Sequence, residues 1–277
     1  MIVRRLKFFE LIIIFMLAVL TACSSYNVKP DISAEERLSI AKKMFDNEDY
    51  FEAKRQFKIL TLNNPGATFI DEAQFYLAEC HYNEEEYILA ADEYRRLVRL
   101  YPRSQWVDDS EFKIAMCDFK LSPKAPLDQK YTKQAVENFQ RFLEDFPNSD
   151  LVPEAEKRLR ICRTKLAKKE YKTAELYRKL SDCYASLVYL NGVLEQYYDT
   201  RYAQPALYWK GECLYELDRL AEAAEAFEEL LRKYPASKFR ADSFSRLKEI
   251  KSELAKTQET DGKAPLSSQT KDNKKIN

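Results

Sequence analysis

The sequence predicts an all-α solenoid of about five stacked helix pairs. Three observations carry this expectation. Apolar residues recur at helical spacing from about residue 34 to residue 255. A pattern of one small, one aromatic and one large apolar residue returns at fixed distance before a chain break. Glycine is scarce, at 4 of 277 residues. Strand bulges, turns at positive φ and phosphate loops all draw on glycine, so few can be present.

The first 22 residues stand apart from this pattern. Arg4, Arg5 and Lys7 form a basic start, followed by an apolar run over residues 11–20. Ten helical residues span about 15 Å, half of a ~30 Å hydrocarbon core, so residues 1–22 read as a cleaved signal peptide rather than a transmembrane helix. At its end, Leu20-Thr21-Ala22-Cys23 resembles the lipobox of bacterial lipoproteins. That resemblance implies cleavage before Cys23, a diacylglyceryl group on its sulfur and acylation, for example with palmitate, of the new amine. A single acyl chain anchors weakly at about 0.8 kcal/mol per methylene, whereas several hold stably. Ser24 and Ser25 follow, with no Asp beside the Cys, which in enteric lipoproteins implies the outer membrane and a periplasmic location. Residues 23–33 are polar, contain Pro30, and read as a lipidated tether.

The repeats begin at about residue 34. Tyr101-Pro102-Arg103-Ser104, Phe146-Pro147-Asn148-Ser149 and Tyr234-Pro235-Ala236-Ser237 share the pattern aromatic-Pro-x-Ser, and Asn64-Pro65 is a weaker copy. Ahead of the four prolines lie Ala53, Phe57 and Leu60; Ala90, Tyr94 and Leu97; Ala135, Phe139 and Phe142; and Ala223, Phe227 and Leu230. Their i, i+4, i+7 spacing puts each trio on one helix face, and proline ends each helix. A first helix precedes each: Leu38, Ala41 and Phe45; Phe75, Ala78 and Tyr82; Phe112, Ala115 and Phe119; Tyr208, Gly211 and Tyr215. These units resemble the tetratricopeptide repeat, which implies a right-handed superhelical solenoid. The small residues Ala41, Ala78, Ala115 and Gly211 let paired helices approach, and Phe57, Tyr94, Phe139 and Phe227 fill the space between pairs. One pair alone cannot bury its apolar face, so the units must stack.

Residues 34–147 thus hold repeats 1–3, the third lengthened over residues 121–132 by a stretch with Pro123 and Pro126. Residues 148–255 hold an extra helix at about 153–166, a degenerate fourth repeat with Asp199 where proline is expected, and the fifth. Residues 256–277 lack apolar periodicity and read as a disordered tail.

The composition narrows function by exclusion. Charges balance at 45 basic and 45 acidic; residues 1–22 contribute +2, leaving −2 on the rest, with no concentrated basic face for nucleic acid. No nucleophile elbow, phosphate loop or zinc spacing occurs, so no catalytic residue, metal site or cofactor is expected. The single histidine, His81, reads as a packing residue. Glu84-Glu85-Glu86 falls in a turn between helices, where charge is ordinarily solvated. Cys80, Cys117 and Cys213 occupy the same slot of their repeats. Equivalent slots on stacked helices lie ~8–10 Å apart, beyond the ~7 Å Cα reach of a disulfide. They read as small buried packing residues, and Cys162 with Cys183 is the pair that spacing excludes least.

A narrower resemblance lies between residues 128 and 200. Phe146-Pro147-Asn148-Ser149, Lys157-Arg158-Leu159, Leu166-Ala167-Lys168-Lys169-Glu170-Tyr171 and Ala174-Glu175-Leu176-Tyr177 resemble the BamD-like family of outer-membrane lipoproteins. So does Asp128-Gln129 followed by Val136 and Phe139. The resemblance implies a scaffold of the outer-membrane β-barrel assembly machinery, binding the insertase's periplasmic domains and unfolded barrel clients. One departure concerns the insertase side. The family commonly ends its fourth repeat in Tyr-Pro, often after a basic residue, where this chain has Glu195-Gln196-Tyr197-Tyr198-Asp199.

In such repeats the first helices line the inner wall. Leu38, Lys42 and Phe45, with Phe75, Glu79 and Tyr82, suit a groove for an extended aromatic-rich peptide; the alternative is that these aromatics pack against neighbouring units. A competing function is a repeat adaptor coordinating cell-wall synthesis or another envelope complex. A lytic transglycosylase is disfavoured, because no glycine-containing catalytic lobe follows the repeats.

Overall fold

The computed structural model describes residues 31–261. The signal peptide, Cys23, the tether up to residue 30 and the tail from residue 262 lie outside the described residues. Those described form eleven α-helices and no strand: α1 (Ala34–Asp46), α2 (Tyr50–Asn63), α3 (Ile70–Asn83), α4 (Tyr87–Leu100), α5 (Val107–Leu121), α6 (Lys130–Asp145), α7 (Val152–Lys179), α8 (Cys183–Gln196), α9 (Ala203–Glu216), α10 (Leu220–Lys233) and α11 (Arg240–Asp261). Each helix packs chiefly on the next in the chain, and side chains also bridge successive first helices. The core is accordingly a row of local clusters spanning α1–α3, α3–α5, α5–α7 and α7–α11. This is the packing of a helical-repeat solenoid.

The lock between paired helices is visible in the buried residues. Ala41, Phe57, Ala78, Tyr94, Ala115, Phe139 and Phe227 are fully buried. A Cβ added to Gly211 would lie 2.7–2.9 Å from ring atoms of Phe227, so any larger residue there would force the ring to move. A second spacing extends across all the interfaces between pairs. A small residue and a second residue seven positions later are buried as Ala73 and Cys80, Ser110 and Cys117, Ala155 and Cys162, Ala206 and Cys213, and Ser243 and Ile250. The last pair places α11 as a closing helix over the fifth repeat. In this slot size matters more than polarity: the hydroxyls of Ser110 and Ser243 are buried without a hydrogen-bond partner. Ser110→Ala is therefore expected to raise stability by about 1 kcal/mol, read by urea denaturation.

The aromatic-Pro-x-Ser motif is a turn tied at both ends. Tyr101, Phe146 and Tyr234 cap their helices, and Ser104, Ser149 and Ser237 donate N–H to those residues' carbonyls at 2.9, 3.1 and 2.9 Å. Each serine Oγ then accepts the N–H two residues on, from Trp106, Leu151 and Phe239 at 3.1, 3.3 and 3.2 Å. Two of the hydroxyls also reach back a repeat, Ser104 donating to Asp71 at 2.7 Å and Ser149 to Asp108 at 3.1 Å. The fourth repeat keeps this geometry. Thr200 donates N–H to the Tyr197 carbonyl at 3.0 Å and accepts from Tyr202 at 3.4 Å. Tyr198, not Asp199, therefore stands at the proline position, which corrects the register read from sequence. Asp199 is instead bound by Arg163 at 2.7 Å.

Two further differences concern boundaries. The extra helix and the first helix of repeat 4 are one helix, the 28-residue α7. Pro153 lies in its first turn, where proline is tolerated, and no proline or glycine follows to break it. The last helix runs on to Asp261, beyond the expected limit at 255.

Within a pair, the turns after α1, α3, α7 and α9 each place a non-glycine residue in the left-handed region: Glu48, Glu85, Ser181 and Asp218, at φ 58–62°. A side chain there costs roughly 1–2 kcal/mol, partly offset by glycine's greater freedom in the unfolded chain. Glu48→Gly is expected to stabilise by about 0.5–1 kcal/mol in the same assay.

Candidate partner-binding surface

The six inner-wall residues come together on two adjacent first helices. Leu38, Lys42 and Phe45 lie on α1, and Phe75, Glu79 and Tyr82 on α3. Their side chains are largely engaged across the helix seams. Lys42 pairs with Glu72 at 2.6 Å and lies 5.3 Å from the Tyr76 ring centroid. Phe45 meets Tyr50 and Tyr76 edge-on at 5.3 and 5.1 Å. Phe75 is buried and stacks on Trp106 at 4.4 Å. Glu79 accepts a hydrogen bond from the buried Tyr94 hydroxyl and an ion pair from Lys113 at 2.7 Å. Lys113 also lies 4.4 Å from the Tyr82 centroid. Burial, reinforced by the Glu79 carboxylate, pushes the Tyr94 phenol well above its usual value, so it stays protonated as the donor. Leu38, Lys42, Phe45 and Tyr82 remain half-buried, so a shallow wall persists over this seam.

Ion pairs between successive first helices recur along the solenoid. Lys42–Glu72 joins α1 to α3, Glu79–Lys113 joins α3 to α5, and Glu212–Arg246 joins α9 to α11 at 3.0 Å. Between α7 and α9, Arg178 stacks over Trp209, 3.6 Å from its centroid. The acidic turn belongs to the same bracing. Lys54 on α2 pairs with Glu84 and with Glu86, and His81 Nδ1 lies 2.6 Å from Glu86 Oε2. The hydrogen bonds from His81 and Lys54 hold the Glu86 carboxyl below its usual value. The lengthened segment of repeat 3 is fastened too. Gln129 is buried and donates to the carbonyls of Lys124 and Leu127 at 2.9 and 3.0 Å. From α7, Lys165 donates to Ser122 Oγ at 2.7 Å and Lys169 to the Leu127 carbonyl at 2.8 Å.

A second surface was not singled out by the sequence. Leu176 and Leu180 at the end of α7, with Tyr184 and Val188 on α8, are each more than half exposed. Leu176 occupies the position that Cys80 and Cys213 fill in other first helices, four residues before the capping residue. Those cysteines pack on a preceding second helix. The second half of α7 has none there, because its first half already receives α6. Tyr184 and Val188 are one turn apart and off the buried Ser186–Leu190–Val193 face, a signal that the sequence did hold. At the other end of α8, α6, α7 and the Tyr198 turn border an open cleft of about 530 Å³ lined by Leu159, Arg160, Arg163 and the exposed Tyr198. The Arg163 hydrogen bond holds the Asp199 carboxyl below its usual range.

These features define a helical-repeat protein with four exposed apolar residues about the α7–α8 turn. The sequence profile of the YfiO family, described as outer membrane lipoprotein, matches residues 30–222, well over half of the chain. The chain belongs to the YfiO family of outer membrane lipoproteins. No curated protein matches it in sequence. Among solved structures, it is similar to the TPR2AB domain in the pHSP90 complex of yeast Sti1, at 15% identity over 80% of this chain and 84% of that one, with a TM-score of 0.41. A thermophilic TPR protein of Thermus thermophilus is similar at 17% identity, over 78% and 99%, with a TM-score of 0.34. The type IV pilus biogenesis factor PilW is similar at 13% identity, over 78% and 97%, with a TM-score of 0.36.

Proposed function

We propose that this protein is a non-catalytic, lipid-anchored scaffold on the periplasmic face of the outer membrane, serving the machinery that assembles β-barrel proteins. The observation that carries the reading is the hairpin α7–α8. It leaves Leu176, Leu180, Tyr184 and Val188 uncovered on the fourth repeat. Isolated exposed apolar residues are ordinary, but four within residues 176–188 suit a partner surface. The α1–α3 wall around Leu38, Lys42, Phe45 and Tyr82 is the proposed site for unfolded clients, with Phe75 and Glu79 holding its floor. Cys23 supplies the membrane attachment.

Two experiments test this. Gentle detergent extraction and pull-down of the chain should recover a large outer-membrane barrel protein with periplasmic repeats. Val188→Glu with Tyr184→Glu should abolish that recovery without unfolding the chain, since both side chains point to solvent. Repeated recovery of cell-wall proteins alone would reject the proposal in favour of the envelope-adaptor reading. Cys23→Ala is expected to yield a folded protein in the soluble periplasmic fraction once partners are removed. Its retention on membranes would count against the anchor.

A further inference from the structure

The five cysteines of the described residues are all free and buried, but they are not equivalent. Cys80, Cys117 and Cys162 each sit alone in their clusters. Cys183 and Cys213 share one cluster, and the Cys183 thiol reaches Glu216, one turn beyond Cys213 on α9. The repeat explains how this pair arises. In the first two repeats the first residue of the second helix packs against the cluster that holds the cysteine of the following first helix. Tyr50 packs against the cluster that holds Cys80, and Tyr87 against the one that holds Cys117. At the start of α8 the corresponding residue is Cys183, and the slot beside it on α9 holds Cys213. A tyrosine beside the cysteine slot is thus replaced by a second cysteine at this interface.

We propose that Cys183 and Cys213 form a dithiol that a disulfide oxidant converts to an intrachain bond joining α8 to α9. Cys183 is the entry point: it is the less buried of the two, and it follows the exposed turn at Ser181 and Asp182. Its Sγ–H donates to Glu216 Oε2 at 3.0 Å, and Glu216 reaches solvent, so the departing proton has an acceptor. The resulting thiolate attacks one sulfur of the oxidant R–S–S–R, forming a mixed disulfide and releasing one R–S⁻. Cys213, losing its proton, attacks the Cys183 sulfur and releases the second R–S⁻. The two protons end on two R–SH, and the two electrons lost by the cysteine pair reduce the oxidant's disulfide. Burial pushes both thiols up, so exchange awaits opening of the α7–α8 turn. Its occurrence in the cell rests on the periplasmic location proposed above, where disulfides persist.

The test uses the mature chain, whose Cys23 is blocked by lipid. The purified, reduced protein is incubated with oxidised glutathione, quenched in acid, denatured and alkylated. Three of the five thiols should take the label, against five in a sample reduced again first. A peptide linking Cys183 to Cys213 should be found by mass spectrometry. Oxidation should raise the melting temperature by about 5–10 °C, an increment absent from Cys183→Ser. Five labelled thiols after glutathione treatment, or a bond between any other pair, overturns the proposal. The same labelling of chain trapped directly from cells separates chemistry from location. A bond formed by glutathione but absent from the cellular chain leaves the pair standing and counts against the periplasmic assignment.

Discussion

Phe227→Ala is expected to lower the unfolding free energy by about 3–5 kcal/mol, the upper range for a buried aromatic truncation. The ring is fully buried, meets Tyr208 edge-on at 6.0 Å, and lies directly over Gly211. Gly211 has no side chain that can move into the space, so the cavity stays open. The effect should also be local. Because clusters follow one another along the chain, hydrogen-exchange protection should fall across α8–α11 and persist in α1–α5. A loss below about 1 kcal/mol in urea denaturation, or a uniform loss of protection, would contradict the lock between small residue and aromatic ring.

Glu79→Ala is the second large change, expected to cost about 2–4 kcal/mol. Its carboxylate serves the Tyr94 hydroxyl and Lys113 at once, and Tyr94 is fully buried. Removing it leaves that hydroxyl without its acceptor and Lys113 without its ion pair. A double-mutant cycle isolates the first part: in a Tyr94→Phe background, Glu79→Ala should cost at least about 1 kcal/mol less. Equal costs in the two backgrounds would mean that the hydrogen bond is not what the glutamate contributes.

Much of the fold was legible because the repeat is written in residue size. Ala41, Ala78, Ala115 and Gly211, and the aromatic rings they face, are distinguishable in sequence at a fixed period. The continuity of α7 was harder, since the repeat phase shifts between Ala155 and Ala174 while the helix itself meets no breaker. The turn at Tyr198 was misplaced by one residue because its marker proline is missing; Thr200, standing where the other turns have serine, was the better guide. The candidate site was less legible. Periodicity tells which residues share a face, not whether another helix covers that face. Phe75 and Glu79 belong to the predicted wall and are taken up by Trp106, Tyr94 and Lys113. Leu176 belongs to a slot filled elsewhere by buried cysteine and is left open. The Cys183–Cys213 pair was hidden for the same reason. It needs Cys183 to be placed over Tyr50 and Tyr87, which no spacing within one repeat reveals.

The proposed role of this solenoid is support of β-barrel assembly. Depleting the chain in its native cell and quantifying outer-membrane β-barrel proteins by mass spectrometry tests it most directly. Barrel proteins should fall together in the outer membrane while other lipoproteins stay level. Unchanged barrel levels in cells that fail to separate after division would contradict it.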